Sequence, residues 1–243
     1  MDLIELKGKI SSVYVGDPDS LISILDLVEQ DNSIFPFNEY EHLICNLLDI
    51  GGLTFDQYLE IRTEYINQNP NLWVFEISAP RGFGEKFAQT YVHGKCSALL
   101  KPSKKLHPTY SGEYDFWLDG IRIEVKASRA VDSDSQEPLY MKALSRNTNK
   151  PFLMNFQQLK PQCCDVFIWV AVFRDEIVLW VFNSNEVRSH TRYAVGQHRG
   201  NKGNEGQMHI KHDNIEEIAE YQLGHDDLER AIREAAKRNP VSD

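Results

Sequence analysis

Apolar and polar positions follow different periods along this chain. In the first third, apolar residues recur every three or four positions over residues 21–28, 40–48 and 58–66, which is the spacing of one helix face. Capping residues and a Gly-Gly stop flank these stretches, with Thr54 as the N-cap of the third. We therefore predict a helical N-terminal region over residues 1–78, acting as a scaffold or a dimerisation layer.

The pattern changes in the rest of the chain. Residues 83–91 carry an aromatic side chain at every fourth position, which predicts a helix with an aromatic stripe. Residues 165–173 and 177–182 are almost continuously apolar, as in strands buried on both faces, whereas we interpret residues 152–159 as a helix. Together with the hairpin described next, these elements predict an α/β fold, a mixed β-sheet core of at least four strands flanked by helices.

Residues 114–126 combine period-two alternation with a tight turn. Asp119-Gly120 is a favoured pair in two-residue turns whose central residues both have positive φ. With that turn, Asp115 lies opposite Glu124, and side chains alternate between the two faces of the hairpin. One face is then continuously apolar. The other face carries Asp115, Trp117, Arg122, Glu124 and Lys126.

The charged face of this hairpin needs an explanation. Like charges opposite each other on a sheet repel by up to about 1 kcal/mol, so a hairpin built only for stability would not pair Asp115 with Glu124. A divalent cation between the two carboxylates turns this repulsion into a net attraction. Mg²⁺ commonly binds one or two carboxylates together with water and phosphate oxygens. Lys126, about 6–7 Å along the same face, is placed to hold an attacking water or to stabilise charge on a phosphate. An exposed amphipathic hairpin with coincidental charges is the alternative.

The order of Asp115, eight intervening residues and Glu124-Val125-Lys126 resembles the PD-(D/E)xK nuclease superfamily, and within it the type II restriction endonucleases. Tyr114 stands where the named motif has Pro. The resemblance implies a restriction-endonuclease-like fold, with the catalytic core and its DNA-recognition loops over residues 79–243.

The resemblance also implies roles for individual residues. Asp115 and Glu124 would bind Mg²⁺, or Mn²⁺ as a substitute, with the backbone carbonyl of Val125 as a third donor and Lys126 as a catalytic residue. In such enzymes a helix before the hairpin often brings a Glu towards the metal, and Glu85 occupies that position. A first-turn Glu that is favoured by the helix dipole is the alternative interpretation of Glu85.

The charge distribution changes how the net charge of −10 is interpreted. Residues 1–80 contain three Lys and Arg against fourteen Asp and Glu, whereas residues 81–212 contain nineteen against thirteen. The remaining residues, 213–243, contain four against nine. Positive charge is therefore concentrated in the segment that holds the candidate site, as a phosphate-binding face requires.

Cationic and amide side chains, the types that contact phosphates and base edges, are concentrated in three stretches, residues 101–108, 142–150 and 197–207. A solvated loop is the alternative for the first stretch, and a disordered surface loop for the Gly-rich third. The residues that we assign to DNA binding are Lys104, Lys105, Arg146, Asn147, Asn149, Lys150, Gln197, His198, Arg199, Asn201, Lys202, Asn204 and Gln207.

These features predict a Mg²⁺-dependent type II restriction endonuclease that cuts double-stranded DNA at a short specific sequence. The resemblance implies a homodimer, and a cognate DNA methyltransferase in the same cell but not as a stable partner. Two alternatives stay open. One is a structure-selective PD-(D/E)xK nuclease of repair or phage origin, and the other is a DNA-binding protein without hydrolytic activity.

The remaining sequence features concern location. No apolar run approaches the roughly 18 residues of a membrane span, and the first residues lack a signal-peptide pattern. The four cysteines show no CxxC spacing, so neither a zinc knuckle nor a disulfide framework is indicated. We therefore expect a cytoplasmic protein without a membrane partner.

Overall fold

The computed structural model describes residues 12, 17–23, 39–196, 205–224 and 227–238. The chain divides into two compact units, residues 1–35 and residues 36–243. The domain boundary that we predict at residue 78 falls inside the second unit. In the first unit residues 18–23 are helical, and Asp17 caps this helix by accepting a hydrogen bond from the Ser20 N–H at 3.0 Å.

Two α-helices open the second unit, in agreement with the predicted helical pattern. Helix α1 spans Glu39–Asp49, and Gly51 follows it with a φ of +73°, as expected for a helix stop. Helix α2 spans Phe55–Gln68 and begins with a capping box, in which Thr54 and Gln57 exchange side-chain-to-backbone hydrogen bonds.

A second helical segment precedes the hairpin. A 3₁₀-helix, Leu72–Glu76, leads to a π-helix, Gly82–Ala88, which continues as helix α3, Gln89–Lys95. The predicted aromatic stripe is present, because the rings of Phe83, Phe87 and Tyr91 stack in series with centroids about 6 Å apart. This segment packs against the apolar face of the hairpin, where the rings of His93 and Phe116 stack.

The first sheet has four strands in the order β1-β2-β5-β6. These are β1 Phe116–Leu118, β2 Ile121–Arg129, β5 Val166–Val172 and β6 Ile177–Asn183. Strand β2 pairs antiparallel with β1 and parallel with β5, while β5 pairs antiparallel with β6. The sheet is therefore mixed, and with helices against it the predicted α/β class is confirmed.

The hairpin has the predicted register. Leu118 pairs with Ile121, and the turn residues Asp119 and Gly120 have φ values of +46° and +96°, as a type I′ turn requires. The predicted register ends at the Phe116–Ile123 pair, because the Asp115 N–H donates to the Ile123 carbonyl at 2.9 Å and Asp115 is not the strand partner of Glu124. Within β2, Glu124 and Lys126 share one face of the sheet.

The second sheet has the strand order β3-β4-β8-β7 and covers that face. Its members are β3 Val131–Asp132, β4 Phe152–Leu159, β7 Ala194–Val195 and β8 Gly206–Lys211. Only Ala130 separates β2 from β3, so one extended segment passes from the first sheet into the second. The core between the sheets is rich in aromatic side chains from β4, β5 and β6.

The prediction of a helix over residues 152–159 is wrong. The segment alternates buried Phe152, Met154 and Phe156 with more exposed residues between them, which is the period of a strand. Strand β8 supplies an antiparallel partner that local periodicity cannot show.

Three further helical segments follow the first sheet in the described part of the chain. Helix α4 spans Ser184–Ser189 and begins with a second capping box. A 3₁₀-helix, Ile215–Tyr221, and helix α5, Leu228–Arg238, follow β8. Helix α5 is joined to the first sheet by a hydrogen bond from the Asn183 amide to the Ala235 carbonyl.

Candidate active site

The candidate site lies where the hairpin meets the preceding helix. The carboxyl groups of Asp115 and Glu124 are within hydrogen-bonding distance of each other. The side chain of Glu124 is only 16 % exposed. Two acidic groups, one directly before β1 and one in β2, thus share one partly buried position.

Both oxygens of Asp115 are held by hydrogen bonds. The backbone N–H of Val125 donates to Oδ2 at 2.8 Å, and the side-chain amide of Gln89 donates to Oδ1 at 2.7 Å. The ammonium group of Lys101 donates in turn to the amide oxygen of Gln89 and lies 4.2 Å from the centroid of the Phe116 ring. Three elements therefore fix the orientation of one carboxylate.

Glu124 is paired with the lysine of the motif. Nζ of Lys126 lies 2.6 Å from Oε1 of Glu124, and the two side chains are equally buried. In β2 these residues alternate with Ile123 and Val125, whose buried side chains point to the helix side of the sheet. Strand periodicity alone therefore brings the glutamate and the lysine to one face.

The electrostatics of the pair favour the neutral acids. Burial raises the pKa of Glu124 to about 7, with a further increase from the Asp115 charge that the neighbouring Lys126 opposes. Burial likewise raises the pKa of Asp115, while the Val125 N–H and the lysine ammonium groups act in the opposite direction. The Lys126 ammonium contacts Glu124, and two partly buried carboxyl groups side by side favour added positive charge.

A third strand borders this site. Lys160, directly after β4, forms an ion pair of 2.8 Å with Glu205, directly before β8. The hydrogen bond that the Lys160 ammonium donates to Glu205 is the main cause of a raised Lys160 pKa, and the Glu124 carboxylate raises it further. The start of β8 therefore lies near the carboxylate pair.

The available oxygen ligands fit a Mg²⁺ site that water and the substrate complete. Two carboxylates from adjacent strands offer oxygen ligands on one side, and Mg²⁺ sites in phosphoryl-transfer enzymes are commonly completed by water and substrate phosphate oxygens. Among the described residues, no group of three or more His, Cys, Asp or Glu side chains is arranged to hold a metal. A complete protein cage is therefore not formed by this part of the chain.

Glu85 and Val125, which we predict to take part in the metal site, make other contacts in the structure. Glu85 lies in the first turn of the π-helix with its side chain 64 % exposed, 3.9 Å from Arg81. Val125 contacts Asp115 through its N–H group, and the role of its carbonyl as a metal ligand stays a prediction. From this helix it is Gln89, four residues after Glu85, that reaches Asp115.

The predicted DNA-binding residues fall into separate places. Lys104 and Lys105 are exposed in the loop before the hairpin. Arg146 forms an ion pair with Glu176 and lies over Phe173. That ring is six residues along the chain from the strand partner of Glu124, which is roughly 20 Å along a strand.

The other members of the 142–150 stretch lie at the same end as Arg146. Asn147 and Asn149 are exposed, and Lys150 forms an ion pair with Asp132 at 3.4 Å. Gln207 lies on β8 opposite Ala194. The remaining predicted contacts lie outside the described residues, and they are Gln197, His198, Arg199, Asn201, Lys202 and Asn204.

Three residues near the carboxylates are missing from the sequence-based assignment. They are Gln89, Lys101 and Lys160. Gln89 was accessible to sequence reasoning, because it lies one helical turn beyond Glu85 and so on the same face. Lys160 was not, because its position depends on the strand that was mistaken for a helix.

Comparison with known protein families gave no match, and no curated protein matches the chain by sequence. Within the part of the chain that the structure describes, no helix is both long and apolar enough to cross a membrane.

Proposed function

We propose that this protein is a Mg²⁺-dependent nuclease that hydrolyses phosphodiester bonds of double-stranded DNA, with the sequence specificity of a type II restriction endonuclease. The observation that carries the proposal is the contact between the Asp115 and Glu124 carboxyl groups with a single lysine ammonium beside them. A hairpin without a bound cation gains nothing from placing two acids together, since burial and mutual repulsion both oppose their ionisation.

Each residue has a defined task under this proposal. Asp115 and Glu124 hold the ion, and Gln89 and the Val125 N–H keep Asp115 in one orientation. Lys126 supplies positive charge next to Glu124, where a scissile phosphate would lie. When bound, Mg²⁺ lowers the pKa of a water molecule and neutralises charge that develops on the phosphate.

The surroundings of the site support a polyanionic substrate. Lys101 bonds to Gln89, which holds Asp115, and the Glu124 charge acts on Lys160. Lys104 and Lys105 are exposed on the loop before the hairpin. Phosphate contacts from lysine increase affinity regardless of sequence. These positions extend the positive charge beyond Lys126 towards flanking phosphates.

The decisive experiment is digestion of a plasmid of known sequence with Mg²⁺, comparing the wild-type protein with Asp115→Asn and Lys126→Ala. We expect both variants to cut at least about a thousandfold more slowly, equivalent to roughly 4 kcal/mol of transition-state stabilisation. Gel-shift affinity for DNA should persist. Asp49→Asn and Lys86→Ala, both at exposed positions, are matched controls that should cut normally. Unchanged cutting by either site variant would remove the hairpin from the mechanism.

The same digestion separates the alternatives. Discrete plasmid bands support restriction, cutting only of forks, flaps or junctions supports a repair-type nuclease, and binding without any cutting supports a DNA-binding protein. The homodimer, the cytoplasmic location and the cognate methyltransferase stay predictions.

A further inference from the structure

Strand β4 contains an irregularity next to the candidate active site. Its register with β8 shifts between Phe156 and Leu159, which places a β-bulge at Gln157 and Gln158. Both glutamines are exposed, whereas Phe156 and Leu159 on either side are fully buried. Bulges of this kind redirect side chains and are frequent next to active sites.

Gln158 adopts a backbone conformation that its side chain disfavours. Its φ is +55°, and the only other non-glycine residue with positive φ in the described ranges is Asp119. Asp119 is explained by the hairpin turn, and Asp tolerates the left-handed region. A glutamine there is strained, and such strain persists where the surrounding structure enforces it, often at binding or catalytic sites.

Two contacts and one electrostatic interaction place the bulge near Lys126 and Glu124. The Asn155 N–H donates to Oγ of Ser128, two residues beyond Lys126 on the same face of β2. The Phe156 ring stacks on Trp169 with centroids 4.3 Å apart, and Trp169 is the strand partner of Lys126.

The third interaction is on the other side of the bulge and is electrostatic. Lys160 is bonded to Glu205 and is also influenced by the Glu124 charge. Gln157 and Gln158 are therefore enclosed between a residue packed next to Lys126 and a residue near Glu124.

We infer that the Gln157–Gln158 bulge contacts base edges of the bound DNA and selects the sequence at the cut. This inference rests on the proposed nuclease function, since it assigns the bulge to DNA bound over Asp115 and Glu124. A glutamine amide carries a donor and an acceptor side by side, which matches N6 and N7 of adenine in the major groove. Because the amides are neutral, they contribute selectivity without adding to the salt dependence of binding.

The test uses the full-length protein and a plasmid library with randomised inserts. After digestion with Mg²⁺, the ends are sequenced for the wild type, Gln157→Ala, Gln158→Gly and the control Gln136→Ala, an exposed glutamine in another loop. We expect each bulge variant to lose about 10- to 100-fold of its preference for one base pair near the cut. The control should keep the wild-type sequence profile.

The glycine variant distinguishes recognition from folding. Glycine accepts a φ of +55° without strain, so the thermal midpoint of Gln158→Gly should equal or exceed that of the wild type. Fluorescence anisotropy without added metal provides a readout that is independent of cutting. For both bulge variants the affinity ratio between the preferred site and a site with the substituted base pair should fall, with an unchanged slope against salt concentration.

Each outcome bears on the inference. Sequence-specific wild-type cutting with unchanged sequence profiles in both bulge variants would overturn the inference and leave the nuclease proposal standing. Wild-type cutting without sequence preference would overturn the inference and the proposed sequence specificity, and leave DNA hydrolysis standing. A wild-type protein that does not cut DNA would overturn both.

Discussion

Charged groups are paired differently at the two ends of the charged hairpin face. At one end, Arg122 and Asp165 form a one-to-one ion pair in which Nε and a terminal guanidinium nitrogen donate to the carboxylate at 3.1 and 2.6 Å. The Arg122 N–H adds a third bond to the same carboxylate. At the other end, the Asp115 and Glu124 carboxyl groups lie together, and the Lys126 ammonium contacts Glu124 at 2.6 Å.

This difference separates a structural contact from a functional one. The Arg122–Asp165 pair has matched charge and satisfied hydrogen bonds, which is how a partly buried ion pair becomes stabilising. The Asp115–Glu124 pair lacks that balance, and burial raises the pKa of both acids. An arrangement that costs stability in the free protein is expected at a site where a bound ligand removes that cost.

The largest expected effect comes from making Glu124 neutral. In Glu124→Gln we expect DNA cutting to fall by about a thousandfold or more, because one of two metal-binding carboxylates is lost. In EDTA the same variant should unfold at an equal or higher temperature than the wild type, because a destabilising buried charge is removed. Plasmid-cutting rates and thermal unfolding measure the two effects.

A stability loss in Glu124→Gln would contradict the functional interpretation of this end of the hairpin. The control is Glu176→Gln, at an exposed position in the turn between β5 and β6. It should leave the cutting rate unchanged.

The next effect in size concerns the residue that orients Asp115. Removing the amide donor in Gln89→Ala should weaken Mn²⁺ binding by about 10- to 100-fold, which is typical for the loss of a group that orients a metal ligand. Isothermal titration calorimetry measures this directly. The adjacent exposed Thr90→Ala is the control, and equal Mn²⁺ affinity in the two variants would show that Gln89 has no part in the site.

The sequence contains enough local information to predict the hairpin. An Asp-Gly turn sets the register of Phe116–Leu118 with Ile121–Ile123 without knowledge of any other strand. The same holds for the α1 and α2 helices, whose boundaries depend on capping residues close in sequence. The predicted pairing of Asp115 with Glu124 fails, because the Asp115 N–H bonds to the Ile123 carbonyl.

The errors arise where the structure depends on distant partners. Phe152–Leu159 becomes a strand because β8, about fifty residues later, pairs with it. Lys160 and the Gln157–Gln158 bulge reach the site through that strand, and no local pattern places them there. Arg146 lies over Phe173 at the far end of β5 from the carboxylates, and its role in DNA binding stays a prediction.

A substitution at the Arg122–Asp165 end of the hairpin face should lower the free energy of unfolding. Asp165→Asn removes the charge that pairs with Arg122 while keeping its shape, and we expect a loss of about 1–3 kcal/mol in the free energy of unfolding. Urea denaturation in EDTA measures it. Glu217→Gln, which breaks the fully exposed Arg192 pair, should cost less. If Asp165→Asn loses no more free energy of unfolding than Glu217→Gln does, the Arg122–Asp165 pair is not a structural contact.

The smallest expected effect is a pH dependence of stability in the metal-free protein. The folded-state pKa of Glu124 is raised from about 4.5 to about 7, so the folded state binds the proton more tightly than the unfolded state. The stabilisation is therefore complete below about pH 4.5 and is lost as the pH rises towards and through 7. We expect the free energy of unfolding of the wild type, relative to Glu124→Gln, to fall by about 1 kcal/mol between pH 5.5 and 7. Saturating Mg²⁺ should remove this fall, since a bound cation favours the ionised carboxylates, whereas the Arg122–Asp165 end should show no such coupling to Mg²⁺. Parallel pH profiles for the two proteins in EDTA would mean that the paired acids do not differ in energy from ordinary surface carboxylates, and the contrast between the two ends of the face would lose its basis.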